Sequence, residues 1–159
     1  MWCDNGFAMA IRVSLFSIRP AAAHHPALEG VAQDYLQRCG RTLPAAGRVF
    51  RTEKALLEAV AAEKKAGACL FWMADPGGKA MDSVAFAEKI RDAGDNGIRH
   101  LMLAIGPANG WSAEARAMAD LRLSLGAMTL PHELAWLLLA EQVYRASTIL
   151  QGHPYHLGH

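Results

Sequence analysis

The residues with most chemistry to offer lie in the last third of the chain: His132, Glu141, Arg145, Tyr155 and His156. A neutral imidazole can take up a proton, a phenol can donate or accept a hydrogen bond, and a guanidinium can hold a phosphate or offset charge on a ring. Glu141 and Arg145 stand four apart, a spacing that by itself describes an ordinary helical salt bridge. Histidines 132, 153, 156 and 159 lack the convergent spacing and carboxylate support of a metal site, so no metal is expected. Cys3, Cys39 and Cys69 are odd in number, far apart and without a CxxC, which suggests neither a disulfide framework nor a cysteine zinc site; Cys69 reads as core.

Three glycine-containing stretches could admit a ligand to the backbone: Asp75-Pro-Gly-Gly-Lys79, Gly106-Pro-Ala-Asn-Gly110 and Gly126-Ala-Met-Thr129. Neither GxGxxG nor GxxxxGK[ST] is present, which argues against a Rossmann cofactor or a P-loop phosphate site.

Short apolar runs alternate with segments of helical period, the sign of an α/β fold with a largely parallel sheet. Strands are expected over Ile11–Ile18, weakly over Arg48–Arg51, then over Ala68–Ala74, Arg99–Ile105 and Leu121–Leu125. Helices are expected over Ala27–Arg38, with Leu28, Val31, Ala32, Tyr35 and Leu36 on one face, and from a Thr52 cap to Lys65. Others run from Asp82 or Ser83 to Asp92, from Ser112 to Ala119, and from after Pro131 to Leu150. Asp75 to Lys79 reads as loop. In an open α/β sheet, ligands bind beyond the carboxyl ends of strands, so the loops after Ala74, Ile105 and Leu125 are the informative ones. Leu134, Leu137, Leu138, Glu141, Tyr144, Arg145 and Thr148 fall on overlapping faces of the last helix, whose wide apolar surface suggests a subunit interface.

The length of 159 residues suits one domain, expected over 11–159. Residues 1–10 follow no pattern and read as a disordered extension, with Met9 as an alternative start. The chain begins with no secretory pattern and contains no long apolar run, so a soluble, cytoplasmic protein without membrane association is expected. A net charge of +1 is too small for gripping long nucleic acid by electrostatics alone, although Arg12, Arg19, Arg38, Arg41, Arg48, Arg51 and Lys54 concentrate positive charge in the first third.

Several blocks together resemble a known family: Asp75-x-x-Gly78-Lys79; Leu103-Ala-Ile-Gly106 with Asn109-Gly110; Leu123-Ser-Leu-Gly-Ala-Met-Thr-Leu-Pro-His132; Glu141-Gln-Val-Tyr-Arg-Ala146; and His153-Pro-Tyr-His156. In this order they are similar to the RlmH family of the SPOUT class. The resemblance implies a trefoil-knotted α/β domain, a mostly parallel sheet flanked by helices, and a homodimer packed through the knot. It implies S-adenosyl-L-methionine as cofactor, held at Ala74, at Gly106, and along Leu125, Gly126, Ala127, Met128, Thr129 and Leu130. It further implies methyl transfer to N3 of a pseudouridine in 23S ribosomal RNA on the assembled ribosome, with His132, Arg145, Tyr155 and His156 as the candidate catalytic residues.

The chain departs from the family pattern at Pro107, where a second glycine is usual, and at Trp136 and Leu157, where arginines are usual. Ser17-Ile-Arg-Pro20 also stands where a glycine-lysine pair is common. These substitutions carry the alternative reading: a catalytically impaired paralogue that keeps the cofactor or the ribosome as partner without transferring methyl.

Overall fold

The computed structural model describes residues 11–20 and 24–158; the expected extension over residues 1–10 lies outside them. Strands β1 (Arg12–Ile18), β2 (Ala45–Phe50), β3 (Cys69–Ala80), β4 (His100–Ile105) and β5 (Leu121–Ser124) form one sheet in the order β2-β1-β4-β3-β5. All four pairings are parallel. Helices α1 (Pro26–Arg38), α2 (Glu53–Ala66), α3 (Ser83–Asp95), α4 (Ala113–Met118) and α5 (His132–Leu150) connect and cover them, and a short 3-10 helix over Pro154–Gly158 ends the described chain.

Parallel strands buried on both faces must be apolar throughout, and β4 is buried at every position. One face packs Leu15, Trp72, Leu101 and Leu103 against α1, α3 and α5. The other packs Phe16, Phe71, Met73 and Met102 against α2 and Trp111. Helix starts follow the expected capping chemistry: Thr52, Asp82 and Ser112 each accept a hydrogen bond from the backbone N–H three residues on. At the amino ends of β1 and β4, His100 is buried between Ser14 Oγ at 2.7 Å and Glu63 Oε2 at 2.8 Å, and Arg12 reaches the same carboxylate.

Five expectations are corrected. β2 begins at Ala45, ahead of the Arg48 expected, because the parallel register with β1 starts at Val13↔Ala45. The Asp75–Lys79 stretch is not a free loop: β3 runs through it to Ala80, with an irregularity that lets both Ala74 and Lys79 face Leu123 of β5. That is possible because Gly78 lies against the β5 backbone; a Cβ there would stand 2.5 Å from the carbonyl carbon of Arg122. Val31 is exposed, and Cys69 is only partly buried at the start of its strand. On α5, the face turned inward carries Ala135, Trp136, Leu139, Ala140, Val143, Tyr144 and Ala146, while Leu134 is exposed and Leu137 and Leu138 are half-buried.

Candidate active site

The strand ends fix the site. Where β4 and β5 finish, beside Ala74 to Pro76 midway along β3, the sheet opens onto a cleft of about 390 Å³, within the usual range of small-molecule sites. Ala74 stands at its β3 side, Gly106 directly after β4, and Leu125, Gly126, Ala127, Met128, Thr129 and Leu130 form its wall after β5. All eight residues expected to bind a cofactor therefore surround one space, with His132 at the first position of α5 beside them.

The local structure explains this shape. Gly106 is where the chain passes under the Trp111 indole; a Cβ there would lie 2.6 Å from the ring. The indole is held in place by its Nε1–H, which donates to the Ala74 carbonyl at 2.8 Å. Gly126 takes φ of +133°, a conformation that favours glycine, and Ser124 Oγ closes the turn by accepting from its N–H. Among the described residues, the amides of Ala127, Met128, Thr129 and Leu130 make no hydrogen bond within the protein. The wall thus offers unused backbone donors beside apolar side chains, and Met128 is 86% exposed.

Two charged or titratable groups border the cleft. Burial pushes the His132 imidazolium below its ordinary range, Arg19 adding to this and Glu133 and the Ile18 carbonyl opposing it. Its Nε2 pairs with Ser17 Oγ at 3.2 Å, and its buried Nδ1 has no partner with hydrogen-bond geometry. Burial also raises the Asp75 carboxyl, but the Gly77 N–H and the guanidinium groups of Arg116 and Arg122 outweigh it and hold the group below its usual value.

Arg145, Tyr155 and His156 are brought together elsewhere. They meet at the far end of α5, where Arg145 Nη1 lies 3.3 Å from His156 Nδ1 and the guanidinium carbon 4.8 Å from the Tyr155 ring centre. Arg145 follows His132 by thirteen positions along α5, a rise of about 20 Å. The four candidate catalytic residues consequently form two groups within one chain. Burial, with Tyr35 and Glu141, pushes the Tyr155 phenol up, so it remains a neutral hydroxyl and donates to Glu141 Oε1 at 3.0 Å.

Sequence reasoning missed Trp111 and Ser17 as builders of the cleft, and gave Trp136 the wrong setting. Trp136 is 2% exposed, in the core, with its ring against Gly47 of β2, so it is no surface replacement for an RNA-facing arginine. Pro107 does line the cleft, and its carbonyl accepts from the Gly110 N–H at 2.9 Å to close the turn after β4. Among the described residues, no cluster of three or more His, Cys, Asp or Glu could hold a metal ion, and no helix is long and apolar enough to cross a membrane.

A cleft beyond the carboxyl ends of parallel strands, walled by a glycine turn and the segment entering the last helix, belongs to a known class of enzyme. The family model described as predicted SPOUT methyltransferase matches residues 18–156. Solved structures agree on the fold. A probable methyltransferase from Bordetella pertussis superposes with a TM-score of 0.55 at 17% identity, covering 87% of this chain and 98% of the other. The SpoU methyltransferase AviRb from Streptomyces viridochromogenes, solved with the cofactor AdoMet, gives 0.52 at 17% identity over 90% of this chain and 62% of that longer one.

The chain is 41% identical over 133 residues to the ribosomal RNA large subunit methyltransferase H of Koribacter versatilis, covering 84% of this chain and 90% of that one. It is 40% identical to the protein of the same name from Rhizobium meliloti, covering 92% and 99%. The chain belongs to this family, the large subunit methyltransferases H within the SPOUT class.

Proposed function

We propose that this chain is a cytoplasmic, homodimeric methyltransferase that uses S-adenosyl-L-methionine to methylate N3 of a pseudouridine in 23S ribosomal RNA on the assembled ribosome. The observation that carries the reading is the convergence of Ala74, Gly106 and Leu125 to Leu130 on one cleft in a chain of this family. The lining suits the cofactor: unused amides from Ala127 to Leu130 are donors for its polar ends, and Ile105, Leu125 and Leu130 supply apolar walls. When bound, S-adenosylmethionine supplies an electrophilic methyl group.

The protein's own residues then orient the acceptor nitrogen, exclude water and manage the N3 proton. His132, kept neutral by burial at the edge of the cleft, is suited to accept that proton. Tyr155 is unsuited to it at neutral pH because its phenol stays protonated, but its hydroxyl and the Arg145 guanidinium can fix the uracil ring and offset charge on it.

A rise of about 20 Å along α5 separates this tail group from the cleft of the same chain, so the two act on one nucleotide when a second copy brings its tail to the cleft. This supports the homodimer, as does the exposed apolar surface of Met128 and Leu134. The family's trefoil knot and a single domain over 11–159 belong to the same proposal. A small dimer of near-neutral charge also suits recognition on the ribosome better than capture of free RNA.

The test is transfer of labelled methyl from S-adenosylmethionine to unmethylated ribosomes and, alongside, to free large-subunit RNA, with the product nucleotide mapped by mass spectrometry. Label at N3 of a pseudouridine, on ribosomes only, is expected. Binding of the cofactor without transfer would favour the impaired paralogue. Pro107, which lines the cleft and has no N–H to offer, is the observation behind that second reading.

A further inference from the structure

We propose that Glu141 is the positioning residue of the tail group: its carboxylate locks Arg145 and Tyr155 into one unit and thereby sets where both meet the substrate ring. This rests on the methyl-transfer reading above.

The geometry separates this carboxylate from an ordinary helical ion pair. Glu141 Oε1 accepts from Arg145 Nη2 at 2.6 Å, from Arg145 Nε at 3.0 Å and from the Tyr155 hydroxyl at 3.0 Å. Oε2 accepts from Gln142 Nε2 at 2.8 Å, and Gln142 Oε1 in turn accepts from Ser83 Oγ of α3 at 2.7 Å. Both oxygens are thus committed, and the anchor extends to a second helix. The Glu141 and Arg145 side chains are only 18% and 16% exposed. The same i, i+4 pairing on α1, Asp34 with Arg38, is a single 3.5 Å contact between side chains 62% and 48% exposed. A pair of that second kind contributes little and orders nothing beyond itself.

What Glu141 orders is the tail. The described 3-10 helix at Pro154–Gly158 returns to α5 through Tyr155, whose ring packs on Tyr144 at 4.9 Å and under the Arg145 guanidinium. The ring contacts set distance, and the hydroxyl bond to Glu141, beside the hydrogen bond with Tyr35, fixes where the phenol end of the side chain sits. On the other side, Glu141 takes up the Nε and Nη2 edge of Arg145 and so turns Nη1 toward His156. A single oxygen, Oε1, takes both N–H groups of that edge, which fixes the direction in which the guanidinium points. The Glu141 charge also partly offsets that of Arg145, so Nη1 acts on the ring more than on phosphate.

That last point gives a signature that a purely structural residue would not share. Glu141→Gln keeps the shape, weakens the clamp and leaves the Arg145 charge uncompensated. The expected result is a kcat for ribosome methylation lower by about tenfold to a hundredfold, the cost of misplaced reacting groups, with a KM for ribosomes unchanged or lower. Melting by circular dichroism and S-adenosylmethionine affinity by calorimetry are read alongside and should change little.

A second readout does not depend on turnover. The chain has three tyrosines. Spectroscopic titration with Tyr155→Phe as the subtraction should show the Tyr155 phenol ionising at lower pH in Glu141→Gln, since an anion that opposes its ionisation has been removed. Should Glu141→Gln fail to fold, Glu141→Asp, which keeps the charge but is one methylene short, is read for kcat in the same way. An unchanged kcat, a loss that appears wholly in KM, or a Tyr155 titration that does not move would overturn the proposal. If the unaltered chain transfers no methyl to ribosomes, the functional reading falls, and the Tyr155 titration alone decides whether Glu141 holds the tail.

Discussion

Ser17 Oγ lies 3.2 Å from His132 Nε2, tying the carboxyl end of β1 to the first residue of α5 at the edge of the cleft. Ser17 is fully buried, and His132 has no other side-chain partner, since its Nδ1 is unpaired. Removing the hydroxyl leaves the imidazole, in a desolvated place, without its side-chain anchor and with only the Ile18 backbone to hold it. Ser17→Ala should therefore lose about 1–3 kcal/mol of stability, the cost of a buried polar group left unmatched, measured by urea unfolding. The released ring should also weaken S-adenosylmethionine binding by calorimetry; unaltered stability and affinity together would show that the 3.2 Å contact holds nothing.

Restoring an arginine at position 136, as the family pattern would suggest, should damage the protein. Trp136 is packed in the core, with its Cζ2 2.8 Å from where a Gly47 Cβ would stand. Trp136→Arg would bury a charge with no carboxylate provided for it, a loss of about 3–5 kcal/mol. Gly47→Ala should cost about 1–3 kcal/mol through overpacking against the same ring. Denaturant midpoints check both; a stable, more ribosome-avid Trp136→Arg protein would mean that this side chain reaches the surface after all.

These two positions show where the sequence is readable and where it is not. The order of strands and helices, and the caps at Thr52, Asp82 and Ser112, follow from local pattern because capping and periodicity are local properties. The course of β3 through Pro76 and Gly77 does not, because it depends on how closely Gly78 meets the Arg122 backbone of a strand far along the chain. Glu141 and Arg145 were legible as a pair at helical spacing. Their bond to Tyr155 was not, since nothing in the spacing says that the tail folds back onto that turn of α5. The cleft residues came from the family blocks, while Ser17, noted only as a departure from the family pattern, and Trp111 act through contacts with His132 and Ala74 that spacing does not show.

Gly106→Ala should abolish cofactor binding more than it unfolds the protein. The added methyl would meet Trp111 Cε2 at 2.6 Å and its neighbours at 2.8 and 2.9 Å, inside any tolerable contact. The indole must move, which breaks its bond to the Ala74 carbonyl and shifts two walls of the cleft together. Overpacking of this kind costs about 1–3 kcal/mol. The expected outcome is a folded protein by circular dichroism with at least about a tenfold loss of S-adenosylmethionine affinity by calorimetry, equivalent to roughly 1.4 kcal/mol. Retained affinity would mean the cleft is not where the cofactor sits.

Acid should weaken the fold in two separate windows. His132 is pushed below its ordinary value of 6.5, by burial first, so as pH falls the unfolded chain takes up that proton before the folded one does. Its contribution is complete above about pH 6.5 and declines as pH drops from there through the folded pKa. Asp75, held low by the Gly77 N–H, Arg116 and Arg122 against its burial, and Glu63, held low chiefly by its hydrogen bond to His100, act further down. They contribute fully above their ordinary values of 3.8 and 4.5, and that stability is lost as pH falls through their lower folded values. Urea midpoints followed from about pH 7.5 to 3 should show both declines. His132→Gln should flatten the upper one only, and Asp75→Asn should shrink the lower one only. A profile for His132→Gln that matches the unaltered chain between about pH 7 and 5.5 would mean that this imidazole is solvated and protonates freely, which would also remove the reason for assigning it the N3 proton.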